Sequence, residues 1–168
     1  MQNNASKVIY ILTIQLDEAN QSYFDHLRDR HFPSERNYLK AHLTLFHQLP
    51  DTGHTFEILR NIAKNQFDME VVGLMHLGAG VAFKIMSTAL QELHAHLSQV
   101  FAAVLIPQDK QGFRPHITVQ NKVTPAASKE LLSQLEKTFE PFTVRATGLD
   151  LWIYQGGPWQ HQETFDFL

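Results

Sequence analysis

The sequence predicts an α+β fold of two pseudo-symmetric lobes, each an antiparallel sheet with helices on its outer face, bilobal about a central cleft. Three observations lead there. Apolar residues alternate between strand-like and helix-like spacing along the chain. The elements run strand–helix–strand–helix–strand and then begin that order again. Sliding the sequence by 74 residues lays His42 on His116 and the helix near residue 18 on the helix near residue 92. A chain of 168 residues suits one folding unit with a shared core. It is therefore read as a single domain, 1–168, with lobes of about 1–78 and 79–168 that are free to exchange strands.

Each element has a local reason. Residues 8–16 form a β-branched, nearly continuous apolar run, as a buried strand requires. Asp17 caps a helix carrying Ala19, Tyr23, Phe24 and Leu27 at helical spacing, and Pro33 lies just beyond its end. Residues 42–46 read as a strand. Asp51-Thr52-Gly53 turns the chain into a helix running to about residue 65. Residues 67–77 and 81–86 form a hairpin about Gly78 and Gly80. Ser87 or Thr88 then caps a helix to about residue 103, with Leu90, Leu93, Leu97, Val100 and Phe101 inward. Residues 116–120 are a strand, and Thr124-Pro125 starts a helix with proline in its permitted first turn. Residues 142–154 make a long strand, bulged near Gly148; after Gly156-Gly157-Pro158 the tail 164–168 pairs back.

Composition excludes several functions. The formal net charge is −3, so a basic stripe for gripping long nucleic acid is not expected, although a pocket for one or two nucleotides remains open. With no cysteine there are no disulfides, thiolate metal sites or cysteine nucleophiles. The polar start, residues 1–7, lacks the features of a signal peptide. No apolar run approaches the roughly 20 residues that cross a bilayer. A cytoplasmic monomer without a membrane partner is expected.

The chemistry concentrates in two matching segments, Ala41-His42-Leu43-Thr44-Leu45-Phe46 and Pro115-His116-Ile117-Thr118-Val119-Gln120. Strand alternation places His42, Thr44 and Phe46 on one face, and likewise His116, Thr118 and Gln120. Each strand thus offers an imidazole beside a hydroxyl on an apolar base. Cleavage of a phosphodiester needs a base for the nucleophile and an acid for the leaving oxygen, on opposite sides of phosphorus. Histidine serves both roles, because its ordinary pKa of about 6.5 keeps both forms accessible near neutrality. Threonine hydroxyls can hold the non-bridging oxygens.

The paired motif resembles that of the two-histidine phosphoesterases, which include the 2'-5' RNA ligase-like proteins and the 2',3'-cyclic phosphodiesterases. The resemblance spans nearly the whole chain and includes a proline before the second motif, in Arg114-Pro115-His116. It implies a bilobal α+β fold, no metal or other cofactor, and cleavage of cyclic phosphates at RNA ends or in small nucleotides. Run in reverse, the same site would join RNA ends through a 2'-5' linkage. By resemblance His42 is the proton donor, His116 the base, and Thr44 and Thr118 the phosphate ligands. The RNA-end members often carry an arginine shortly after the second motif; here the stretch is Val119-Gln120-Asn121-Lys122.

Among other residues, Arg114 stands where it could anchor a phosphate, Phe46 and Gln120 are expected to line the cleft, and Tyr154 is the aromatic expected to stack on a base. Tyr10, Trp152 and Trp159 are further stacking candidates. His94 and His96 lie two apart on a helix and make a poor chelate. His47 and His54 are expected in solvated loops. The alternative to an enzyme is a module that holds nucleotides or RNA ends without turnover, but binding alone would not require a matched acid and base.

Overall fold

The structure, a computed structural model, describes residues 7–168; of the polar N-terminal stretch, residues 1–6 lie outside the described part. Seven strands form one antiparallel sheet. In chain order the strands are β1 (Ile9–Leu16), β2 (Leu43–Pro50), β3 (Phe67–His76), β4 (Val81–Met86), β5 (His116–Gln120), β6 (Phe142–Tyr154) and β7 (Gln160–Asp166). Four helices join them: α1 (Glu18–His31), α2 (Gly53–Arg60), α3 (Thr88–Val100) and α4 (Pro125–Glu136). The strand order is β2-β1-β6-β3-β4-β5, with β7 also on β6.

The helix starts follow from their caps. Asp17, Thr52, Ser87 and Thr124 each accept a first-turn backbone N–H, at Asn20, Thr55, Leu90 and Ala127. Two helices end earlier than the periodicity predicts. Helix α2 stops at Arg60 rather than near residue 65, because Gln66 N donates to the Leu168 carbonyl and Leu168 N to that of Lys64. Pairing with the C-terminus draws that segment out of helix. Helix α3 stops at Val100, which is exposed rather than inward.

Strand β6 spans the molecule. Its first half pairs with β3 and its second half with β1 and β7. The change occurs at Gly148, where Gln15 pairs with Gly148 but Leu16 with Ala146, so Thr147 is an extra residue. Residue 78 lies at the tip of the β3–β4 hairpin, so strand pairing crosses that point in the chain. The buried residues form a continuous cluster drawn from both halves; Phe24 of α1 meets Phe83 of β4 edge-on at 5.4 Å.

Both motif strands are edges of the sheet, and the sheet curls until β2 and β5 meet. Both also bulge at the same point. Along β1, Leu12 and Thr13 are adjacent, but their partners are Phe46 and Thr44, leaving Leu45 extra. Along β4, Val81 and Ala82 are adjacent, but their partners are Gln120 and Thr118, leaving Val119 extra. No helix of the described residues is long and apolar enough to cross a membrane.

The approach of β5 to the hairpin tip is close. A Cβ on Gly80 would stand 1.9 Å from the Gln120 carbonyl oxygen, whereas one on Gly73 would meet nothing within 4 Å. Gly80→Ala should therefore cost at least about 1–3 kcal/mol, because backbone must move. Gly73→Ala should stay within about 1 kcal/mol of the parent. Urea melts of the two variants check this, and equal stabilities would refute the close approach.

Candidate active site

The bulges decide which side chains face the cleft. A bulge sends two successive residues to one side of a strand. Leu45 and Phe46 are both buried, as are Val119 and Gln120. The expectation that Phe46 and Gln120 line the cleft is therefore corrected. Phe46 is fully buried and stacks on His94 at 4.8 Å, and Gln120 is 6% exposed with its Oε1 unpartnered. The shifted alternation brings His47, expected in a loop, to the cleft wall instead.

Facing the cleft are the four motif residues. His42, Thr44, His116 and Thr118 line a single cavity of about 330 Å³, together with Arg114, which sequence reasoning placed there. His47, Phe113 and Trp159 complete much of the wall. Tyr154 lies at the end of β6 opposite Ile9, outside this cavity, since the turn after it carries Trp159 inward in its place. The Trp159 ring centroid is 4.6 Å from that of His42. Lys122, in a left-handed turn at φ 60°, is exposed and outside the cavity.

The two imidazoles are held alike. His42 Nδ1 is 2.8 Å from the Lys40 carbonyl oxygen, and His116 Nδ1 is 2.7 Å from that of Arg114. A carbonyl can only accept, so Nδ1 carries the proton and each Nε2 is left for a ligand. The loop before His42 is pinned by α1, where Asp25 accepts from the Ala41 amide at 2.8 Å and Gln21 donates to the Ala41 carbonyl at 2.8 Å.

Side chains from distant parts of the chain meet the bulged strands. Arg28 of α1, almost fully buried, donates to the Thr118 carbonyl at 3.0 Å and lies over the Phe32 ring. His94 of α3 sits between Phe46 and Phe113, stacked on both rings. Asp109, from the short 3-10 turn Pro107–Lys110, accepts from the His47 and Gln48 amides and from His47 Nδ1 at 2.8 Å. It thereby satisfies free-edge backbone donors of β2. Burial alone would raise the Asp109 carboxyl, but the bonds from His47 and Gln48 outweigh it and hold its pKa below the usual value. None of these partners was legible beforehand, because each contact joins residues far apart in sequence; Gln21 and Asp25, four apart on one helix face, carried the nearest thing to a local signal.

His42 is the most perturbed group. Burial among protein atoms pushes its pKa down to about 4; the bond to the Lys40 carbonyl opposes this, and Arg28, His116 and His47 lower it further. With that pKa His42 is neutral at pH 7. Burial also lowers the His94 pKa, against the charge of Asp109.

Residues 16–158 match the model of the 2'-5' RNA ligase superfamily. The chain belongs to this family. Membership places it among the phosphoesterase-type and RNA ligase-like enzymes that share the two-histidine architecture. No curated protein matches the sequence. Solved structures with the same fold include TT0787 of Thermus thermophilus (TM-score 0.66, 16% identity, covering 95% of this chain and 97% of that one). E. coli LigT complexed with 3'-AMP matches at TM-score 0.63 and 19% identity, covering 96% of this chain and 99% of LigT. A structure described as a phosphoesterase matches at TM-score 0.64 and 18% identity, covering 96% and 99% of the two chains.

Two predictions test this family member's site. The depressed His42 pKa means that the unfolded chain takes up a proton the folded chain refuses. That stabilisation is complete above about pH 6.5 and is lost as pH falls toward about 4. Inorganic phosphate should raise the His42 pKa by at least about one unit, since an anion favours the charged ring. An NMR titration of the ring protons reads this directly, and no upward movement would remove the anion from His42's side. Asp109→Asn should cost about 1–3 kcal/mol in chemical denaturation, because one amide oxygen cannot serve donors that now bond both carboxylate oxygens. An unchanged midpoint would show that β2 does not need this support.

Proposed function

We propose that this chain hydrolyses 2',3'-cyclic phosphates of small nucleotides or RNA ends without a metal, by in-line displacement between His42 and His116. The observation that carries the reading is that both imidazoles, each with Nε2 free, share one 330 Å³ cavity with Thr44 and Thr118.

In this reading Nε2 of neutral His116 takes a proton from water as the water oxygen bonds to phosphorus. Protonated His42 gives its proton to the ribose oxygen as the bond from that oxygen to phosphorus breaks. Thr44 and Thr118 donate to the non-bridging oxygens, and Arg114 offers its charge at the cavity wall. Burial holds the His42 pKa near 4, so it takes up its proton together with the substrate anion, which offsets the burial. A 5'-hydroxyl in place of water would yield a 2'-5' linkage by the same steps. The solved LigT complexes with 3'-AMP, NADP+ and ATP support a cleft that admits small nucleotides.

The test is hydrolysis of 2',3'-cyclic mononucleotides in the presence of a chelator. Turnover should persist, and folded His42→Ala and His116→Ala proteins should fall to background. Thr44→Val and Thr118→Val should each slow turnover by about 10–1000-fold. The pH profile should be bell-shaped, and the limb reporting the acid should lie at higher pH in kcat than in kcat/KM, because kcat reports the bound complex. Activity that vanishes with the chelator, or a flat profile between about pH 5 and 8, would overturn the mechanism. Nucleotide binding without turnover would favour the binding-module alternative.

A further inference from the structure

We propose that the larger cavity adjoining the cleft at His42 and Trp159 receives the nucleoside whose ribose oxygen is released from phosphorus, that it takes this nucleoside uncharged, and that its carboxylates bar an RNA chain from that side. The inference rests on the catalytic reading above and narrows it, favouring cyclic mononucleotides over RNA ends.

This cavity measures about 660 Å³, within the range that holds drug-sized ligands. It shares two residues with the two-histidine cleft, His42 and Trp159. The two cavities adjoin at these two rings. The proton donor therefore borders both spaces, and the group that receives its proton must lie on its side of phosphorus. In a 2',3'-cyclic phosphate that group is a ribose oxygen, which keeps the nucleoside joined to phosphorus through the second ester and so holds it beside His42.

The walls suit a flat aromatic ligand with hydrogen-bond donors. Trp152 and Trp159 stand with centroids 6.4 Å apart, and Trp152 is held by a 2.9 Å bond from its indole N–H to Thr13. Indole faces stack on any nucleobase. Four acidic residues, Asp17, Glu18, Asp25 and Asp150, line it against one lysine, Lys40. Two are engaged in building the wall, since Asp17 caps α1 and Asp25 holds the Ala41 amide. Glu18 is exposed, and Asp150 uses only Oδ1 toward His161 and Thr164. Those two remain to accept base or ribose donors. The same charges repel a second phosphate, and an RNA chain joined at the 5' position of the terminal ribose would bring one to this side.

The chain has two tryptophans, and both line this cavity, so intrinsic fluorescence reports on it without turnover. With inorganic phosphate in excess to occupy the cleft, nucleosides should change the emission saturably. At low salt, a trinucleotide with the same 3' residue should bind at least about tenfold more weakly, as a site ringed by like charge requires. A Glu18→Gln/Asp150→Asn protein, checked for fold by circular dichroism, should narrow that gap several-fold. The asparagine keeps an oxygen to accept from His161 and Thr164. No saturable response to nucleosides, or a trinucleotide bound as tightly as the nucleoside by the parent protein, would overturn the proposal. Cyclic phosphate turnover with no fluorescence response would sink this inference and leave the catalytic reading standing. Nucleoside binding without turnover would support the cavity assignment and sink the catalytic reading.

Discussion

Each motif strand is an edge strand that bulges one residue after its threonine, and the site depends on this. An edge strand is paired on one side only, so it can take an extra residue without breaking a second ladder. Leu45 and Val119 are those extra residues. The bulges leave the imidazole and hydroxyl on the cleft and send the next two side chains inward. The curl of the sheet then brings the two edges together. A regular strand in either place would put Phe46 or Gln120 on the cleft wall.

Free edges carry unpaired backbone groups, and these need partners. The chain supplies them from opposite ends. Helix α1, in the first half, reaches Thr118 of β5 through Arg28; helix α3, in the second half, packs His94 on Phe46 of β2. Asp109 holds the amides after the first bulge. Each motif strand is thus supported by the other half of the molecule, which ties the geometry of the cleft to the packing of the whole domain. The same contacts tune the chemistry, since Arg28 adds its charge to the burial that keeps His42 neutral.

The surroundings of the cleft are not symmetric. One flank carries Arg114 and His47, and the other opens through His42 and Trp159 into a space rich in carboxylates. The pseudo-symmetry of the two motifs supplies paired imidazoles and hydroxyls, while the asymmetry of the flanks gives the cleft a direction. Trp159 matters to both, because its ring lies against His42 and borders both spaces.

The local chemistry of the chain was legible from its sequence. Asp17, Ser87 and Thr124 start helices because their side chains bond neighbours three residues on. The extra residue beside Gly148, the β3–β4 hairpin and the two His-x-Thr segments are likewise short-range features. So was the pairing of His42 with His116, because the repeat order implied it. What tertiary structure decided was the register. Simple alternation placed Phe46 and Gln120 in the cleft, and nothing in Leu45 or Val119 marks a bulge; the edge position and the partners across the fold select it. His47 reached the site for the same reason, held by a carboxylate 62 residues away, and Arg28 reaches Thr118 across 90 residues. Sequence alone determined which groups could do the chemistry, because that depends on residue type and near neighbours. Which of them face one another depends on strand pairing and buried charge, which exist only once distant segments have packed.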